Sequence, residues 1–345
     1  MARVQGQSGR GAGLIAALLT ALFALAVPTL AEASAQPAVP ELTLIGEHAV
    51  DGMPTGNLSG LALCGKALWA VSDREDGTVY RLDTSTPTWQ ARAVTFKAPP
   101  VPPSGLPARL RMSSWAASFV RGGDLDFEGI SCDAQGNQYL VSEAHVAVLQ
   151  IPVSGEPKWL PLDPTLVSQA RASNLLLHFN ALFEGLTVNP AGDRLWLAAE
   201  RQQRGLLAVR KRPVSWSCEG RCVLLAEGGA ETLPVQVPRT RTMPRDFADL
   251  AYFDGKLFTL ERNAYRICRR DADTAKRERC WSFAAEALLP ARRYDAPYGL
   301  TEALSVDADG AWVGTDNNQW ARADGERRPV VWRFAAPAGG WSAAP

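Results

Sequence analysis

The sequence predicts an all-β chain folded as a β-propeller. Three observations predict it: a motif that returns five times, a glycine-centred turn inside every copy, and a spacing between copies that suits one four-stranded blade. The copies read SGLALCGKALWAVSD (59–73), EGISCDAQGNQYLVSE (128–143), EGLTVNPAGDRLWLAAE (184–200), DLAYFDGKLFTLE (249–261) and EALSVDADGAWVGTD (302–316). In each, two short apolar runs are split by Gly65, Gly136, Gly192, Gly255 or Gly310. Runs this short, rich in β-branched and aromatic residues, make hairpins, whereas a helix needs longer runs at a 3.6-residue period. The opening residues lie 69, 56, 65 and 53 apart, which fits a blade plus connections of variable length. One blade cannot cover both its faces, so the copies stack, and a ring closes the stack without long open edges. Six blades are expected, with five or seven as alternatives. The segment ELTLIGEHAV (41–50) is expected to pair with strands near the carboxyl end, such as 330–334, and complete the sixth.

Ahead of the first copy, 1–35 carries Arg3 and Arg10, an apolar stretch over 14–27 and the small-residue site Ala33-Ser34-Ala35. That pattern predicts a secretory signal peptide, an uncleaved anchor being the alternative, and leaves 36–345 as a single propeller domain, periplasmic or secreted. No later stretch is long and apolar enough to span a bilayer. The 36 basic and 36 acidic residues balance, and a leader with two arginines and one glutamate leaves the remainder near −1. A nucleic-acid partner normally requires a basic surface, so a small-molecule or ion site is expected instead. Six cysteines in an exported chain predict disulfides. Sequential pairing, 64–132, 218–222 and 268–280, is the simplest of the fifteen connectivities that six cysteines allow.

Between the copies lie three long inserts. The segment 98–121 begins proline-rich and turns basic and apolar, 157–180 holds a short helix pattern, and 213–244 holds the cysteine turn. Long inserts in a compact repeat fold are often binding loops, with plain rim connection as the alternative. Trp69, Tyr139, Trp196, Phe258 and Trp312 recur in the second strand of their copies, which predicts packing between blades rather than a stacking platform.

A propeller brings equivalent positions of its blades around one axis, so the acids repeated in sequence become a ring. The opening set is Ser59, Glu128, Glu184, Asp249 and Glu302; the closing set is Asp73, Glu143, Glu200, Glu261 and Asp316. Carboxylates this crowded raise one another's pKa values, and calcium, which takes six to eight oxygen ligands, relieves the repulsion. Glu128, Glu184, Glu261, Asp316, Asp249, Glu302 and Asp73 are the candidate ligands, the alternative being strand caps and arginine pairs. Three histidines, His48, His145 and His178, without paired spacing argue against zinc or copper. Arg74, Arg201 and Arg262 each follow a closing acid, and Arg245 precedes the fourth copy. Guanidinium groups beside a cation suit phosphate or carboxylate. No Gly-x-Ser-x-Gly elbow occurs, although Ser59 and His145 are placed to face the channel.

The strings DLDFEGISCDAQGNQYLVSEAHVAVLQI, FEGLTVNPAGDRLWLAAER, DFADLAYFDGKLFTLERN and TEALSVDADGAWVGTDNN resemble the phytase-like family, also called esterase-like activity of phytase. The matching elements here are 126–130, Ser142-Glu143, 183–186, 260–262 and Asp316-Asn317, in the family's order, and the resemblance runs from about 42 to 334. It implies an exported propeller with bound calcium, grouped with phosphomonoester or carboxylester hydrolysis. The chain departs from the pattern at Ser59, where an acid is usual, and at Glu302-Ala303, where Glu-Gly is common. The expected chemistry is hydrolysis assisted by calcium on Glu128, Glu184, Glu261 and Asp316, with Glu143 or Glu200 as base and Arg74, Arg201 and Arg262 stabilising charge. Two other functions are open: a non-enzymatic propeller with structural calcium that binds a glycan, peptide or envelope partner, and a metal-dependent propeller lactonase.

Overall fold

A computed structural model describes residues 39–237 and 241–343. The leader predicted over 1–35 lies outside them. Each sequence copy becomes the inner hairpin of one blade. After β1 (Leu44–Asp51), blade one comprises β2 (Gly60–Cys64), β3 (Ala67–Val71), β4 (Thr78–Asp83) and β5 (Trp89–Thr95). Helix α1 (Ala108–Arg121) leads to blade two: β6 (Phe127–Cys132), β7 (Gln138–Ser142), β8 (Ala147–Ile151) and β9 (Lys158–Trp159). Helix α2 (Leu166–Ala172), the short helix expected in the second insert, leads to blade three. That blade holds β10 (Phe183–Val188), β11 (Arg194–Ala199), β12 (Gln203–Lys211) and β13 (Trp216–Ser217), with β14 (Val223–Gly228) added along β12. A ribbon of β15 (Ala230–Thr232) and β16 (Thr242–Pro244) precedes blade four: β17 (Asp249–Phe253), β18 (Lys256–Glu261), β19 (Arg266–Asp271) and β20 (Arg277–Ser282). Helix α3 (Ala284–Ala287) then leads to β21 (Thr301–Asp307), β22 (Gly310–Thr315) and β23 (Val330–Ala335) of the last blade.

The amino-terminal strand meets 330–335 as the sequence predicts, but with a different result. β1 pairs antiparallel with β23, Glu47 opposite Trp332 and Ala49 opposite Val330, and is the fourth strand of the fifth blade. Among the described residues the propeller therefore has five blades, not six: β1 joins β21, β22 and β23 in one blade, and the 53–69-residue spacing is taken up by blades and inserts. At the seam β1 also runs parallel to β5 through Val50 and Trp89.

The inner strands β2, β6, β10, β17 and β21 abut in order and return to β2. Side chains tie neighbouring inner strands: Ser131 Oγ accepts from Val188 N (3.2 Å), Ser305 Oγ from Leu63 N (3.1 Å) and Asp249 Oδ2 from Leu304 N (2.7 Å). A ring of only five strands is tight, which explains the glycine after the opening acid. A Cβ on Gly129 would stand 3.1 Å from the Glu184 carbonyl oxygen, and one on Gly185 2.7 Å from Asp249 Cα.

The recurrent aromatics pack as expected. Tyr139, Trp196 and Phe258 are buried, and Trp312 sits edge-on to Trp89 at 5.4 Å. All three predicted disulfides are present. Cys64–Cys132 joins blades one and two, Cys218–Cys222 closes the turn between β13 and β14, and Cys268–Cys280 crosses β19 and β20. Among the described residues no helix is long and apolar enough to cross a membrane.

Candidate active site

The first strand of a blade and the second run in opposite directions, so the opening acid of each hairpin and its closing acid share one end of the channel. The connections between blades open on that same end. There the chain forms a cavity of about 450 Å³. Of the candidate ligands, Asp73, Glu128, Glu184, Glu302 and Asp316 line it, as do Glu200, Arg74, Arg201 and Arg262. Arg121, from the end of α1, and Asn180, from the loop after α2, complete its polar wall.

Two carboxylate triads stand out: Asp73, Asp126 and Glu128, and Glu143, Glu184 and Glu200. In each, one oxygen per residue lies within 4.8 Å of the others. Buried oxygens here lack hydrogen-bond donors: Asp73 Oδ1, Asp126 Oδ1, Glu200 Oε2 and Glu302 Oε2. A buried acceptor without a donor is costly, so this set of oxygens fits a hard cation.

Arginines hold the remaining oxygens. Arg262 is clamped on three sides: its Nε donates to Asp246 Oδ2 at 2.8 Å, its Nη1 to Glu302 Oε1 and its Nη2 to Glu200 Oε1. Arg201 also donates to Glu200 Oε1, and Arg121 pairs with Asp126. Arg74 stands 3.7 Å from Asp73 and remains partly exposed. Asp316 accepts from Asn57 Nδ2 at 3.0 Å and from Asn318 N at 2.9 Å.

Electrostatics follow from this crowding. Burial pushes Asp73 up to about 6, with the Asp316 charge adding to it. Burial raises Glu302 to about 7 although Arg262 opposes the shift. Glu128 is driven well above the carboxylate range by burial and by Glu184, and Glu184 by burial and by Glu143. Acids outnumber arginines in the lining, and their mutual repulsion favours protonation or a bound cation.

The structure places the other sequence-predicted residues away from the cavity lining. Glu261 lies outside the cavity lining among three arginines, Arg204 at 3.1 Å, Arg266 at 2.5 Å and Arg270 at 3.0 Å. Burial alone would raise its pKa, yet those guanidinium groups hold it at about 2. Asp249 is likewise withdrawn, its two oxygens accepting from Leu250 N and Leu304 N at 2.7 Å each. Glu143 reaches its triad from behind the cavity wall, with Oε1 accepting from Leu182 N at 2.9 Å, whereas Glu200 lines the cavity. Ser59 and His145 do not join the site: Ser59 Oγ accepts from Asp73 N, and His145 Nε2 contacts the Asp124 carbonyl. Arg245 pairs with Glu231 at 3.5 Å, away from the cavity.

The sequence pattern missed Asp126, Asp246 and Arg121, because they belong to the lead-in segments rather than to the repeat. One signal was available. Asp126 stands two residues before its opening residue, as Asn57 does before Ser59, and both reach carboxylate neighbourhoods at the cavity.

Fold and site together define a five-bladed propeller with an acidic, arginine-studded cavity at one end of its channel. Residues 53–222 match the family Phytase-like, esterase-like activity of phytase, so the resemblance carried by the motifs is established over that part of the chain. No curated protein matches the chain. Solved structures similar to it include glutaminyl cyclase of Myxococcus xanthus, 12% identical, covering 87% of this chain and 97% of that one with a TM-score of 0.47. Another is the PQQ-bound aldose sugar dehydrogenase of Streptomyces coelicolor, 16% identical, covering 86% and 100% with a TM-score of 0.40. The propeller assignment rests on the strand order itself.

Proposed function

We propose that this chain is an exported, cation-dependent hydrolase of phosphoric or carboxylic esters, with calcium as the cation and the acidic cavity as its site. The observation that carries this is one cavity lined by four arginines and by two acids from each of the two carboxylate triads. Asp73, Asp126 and Glu128 are the residues to hold the ion, and an all-oxygen donor set suits calcium. When bound, the ion supplies positive charge for the oxyanion of the substrate.

The chain's own residues do the rest. Arg74 and Arg201, partly exposed, face the substrate and take its anionic oxygens. Arg262, already engaged by Asp246, Glu200 and Glu302, is a positioning residue. It fixes Glu200 through Oε1, and Glu200 Oε2 accepts the proton of the attacking water. Three disulfides, with no free cysteine among the described residues, support an oxidising compartment and hence export.

Elemental analysis of the purified protein, with hydrolysis of an aryl phosphate and a short acyl ester before and after chelation, tests the proposal. The expected result is bound calcium and turnover that chelation removes. Glu200→Gln, which removes the base, is expected to lower turnover by about 100-fold or more while the protein stays folded. Turnover that survives both chelation and this substitution rejects the cavity as the site. Calcium without turnover rejects the hydrolase and leaves a cation-stabilised binding propeller.

A further inference from the structure

Most of the large apolar side chains left exposed among the described residues lie on the connections that open beside the acidic cavity. Helix α1 concentrates them. Its inner face holds Leu110 and Ser114, and Leu110 joins the core with Leu106 and Val167. At 3.6 residues per turn, Met112, Trp115 and Phe119 share one stripe on the opposite side. Trp115 is 65% and Phe119 72% exposed, and the two rings meet edge to face at 4.8 Å. Arg109 and Arg111, both exposed, fall on the two flanks of the stripe, and the helix contains no acidic residue.

The helix is fixed beside the cavity. Arg121 at its end lines the cavity, and Asp76 of blade one accepts from Asp124 N (2.6 Å) and Leu125 N (2.8 Å) just beyond it. A second segment behaves alike: Leu177 and Phe179 are exposed immediately before Asn180, another lining residue.

An aromatic stripe turned to water indicates a partner, and the charge pattern indicates which. A second copy docking on the same stripe would bring arginine against arginine. An apolar stripe bordered by arginines on both sides suits an interface where rings enter the acyl boundary and guanidinium groups meet phosphates. We propose that α1, with the 177–179 loop, seats the cavity end of the propeller on an anionic phospholipid surface. The inference stands apart from hydrolysis, since it concerns binding alone.

Flotation of the purified protein with phosphatidylcholine vesicles, and with vesicles that also contain phosphatidylglycerol, tests it. Binding is expected to the anionic vesicles and to weaken with added salt. The double substitution Trp115→Ala, Phe119→Ala is expected to weaken it by about tenfold or more, and Arg109→Gln with Arg111→Gln to weaken it less. Trp115 and Phe119 are exposed, so circular dichroism and melting of the aromatic variant should match the parent protein; Arg111→Gln also removes a hydrogen bond to the Leu106 carbonyl, so the same two measurements control the arginine pair. Absence of binding to either vesicle, or binding that the aromatic substitutions leave unchanged, overturns the proposal. A dimer in sedimentation velocity that the aromatic substitutions disperse also overturns it and gives the stripe to a second copy.

Discussion

Glu200 and Glu261 close the second strand of adjacent blades, stand at the same place in the repeat, and are both fully buried. Their surroundings differ in sign. Glu261 meets Arg204 from β12 and Arg266 and Arg270 from β19, so three cations face it, with Glu227 and Glu231 as their other partners. Glu200 shares Arg201 and Arg262 with other acids and lies beside Glu143 and Glu184. Repetition thus fixes where a side chain sits along the channel, while the flanking strands decide whether it becomes an internal ion pair or part of a reactive surface.

The comparison can be broken most sharply at Glu261. Glu261→Gln leaves the buried Arg204 and Arg270 with Glu227 as their remaining carboxylate, and the expected loss is about 3 kcal/mol, measured by urea unfolding. A loss below about 1 kcal/mol would place Glu261 with the cavity acids after all. Calcium gives the next largest effect. At a hundredfold excess over its dissociation constant it is expected to stabilise the folded chain by about 2.7 kcal/mol, read as a rise in melting temperature. Glu128→Gln should lose that rise and Glu261→Gln should keep it; the reverse pattern assigns the ion to the wrong blade.

The smallest effect is the pH dependence of the chelated protein. Asp73 at about 6 and Glu302 at about 7 bind protons more tightly folded than unfolded. Their contribution is full below about pH 4 and is lost as pH rises through 6 to 7, by at most about 1.4 kcal/mol per pH unit for each group. Glu261, at about 2, acts in the other direction: its contribution is present above about pH 4.5 and disappears as pH falls toward 2. Chelated protein is therefore expected to be most stable in mild acid, and calcium to flatten the limb above it. Urea midpoints that stay level from pH 4 to 8 with chelator present would count against the acid cluster.

The propeller was legible because its inner hairpins are local: each turn glycine and its flanking runs lie within one copy of the repeat. The disulfides were legible for a similar reason, since Cys64 and Cys132 hold corresponding places on β2 and β6. Blade number was not: the pairing of 41–50 with 330–334 was expected, but that β23 belongs to the fifth copy's blade rather than to a sixth follows only from its pairing with β22. The cavity acids Asp73, Glu128, Glu184, Glu302 and Asp316 followed from the repeat. The role of Glu261 did not, since its arginines come from a third strand of its own blade and a third strand of the blade before. Arg121 comes from an insert, where no periodicity points to it, and Asp126 from the short lead-in to its copy, outside the repeated run.

The junction of β1 with β23 orders the making of the molecule. Chain emerges from its amino terminus, so the strand that appears first must wait for one of the last before its blade is whole. Blades one to four are each drawn from contiguous sequence and have no such delay. The blade that waits also supplies Glu302 and Asp316 to the cavity. A nascent or prematurely ended chain can therefore build four fifths of the scaffold and still present an open, incomplete set of carboxylates, so that assembly of the site reports that synthesis has run past residue 335.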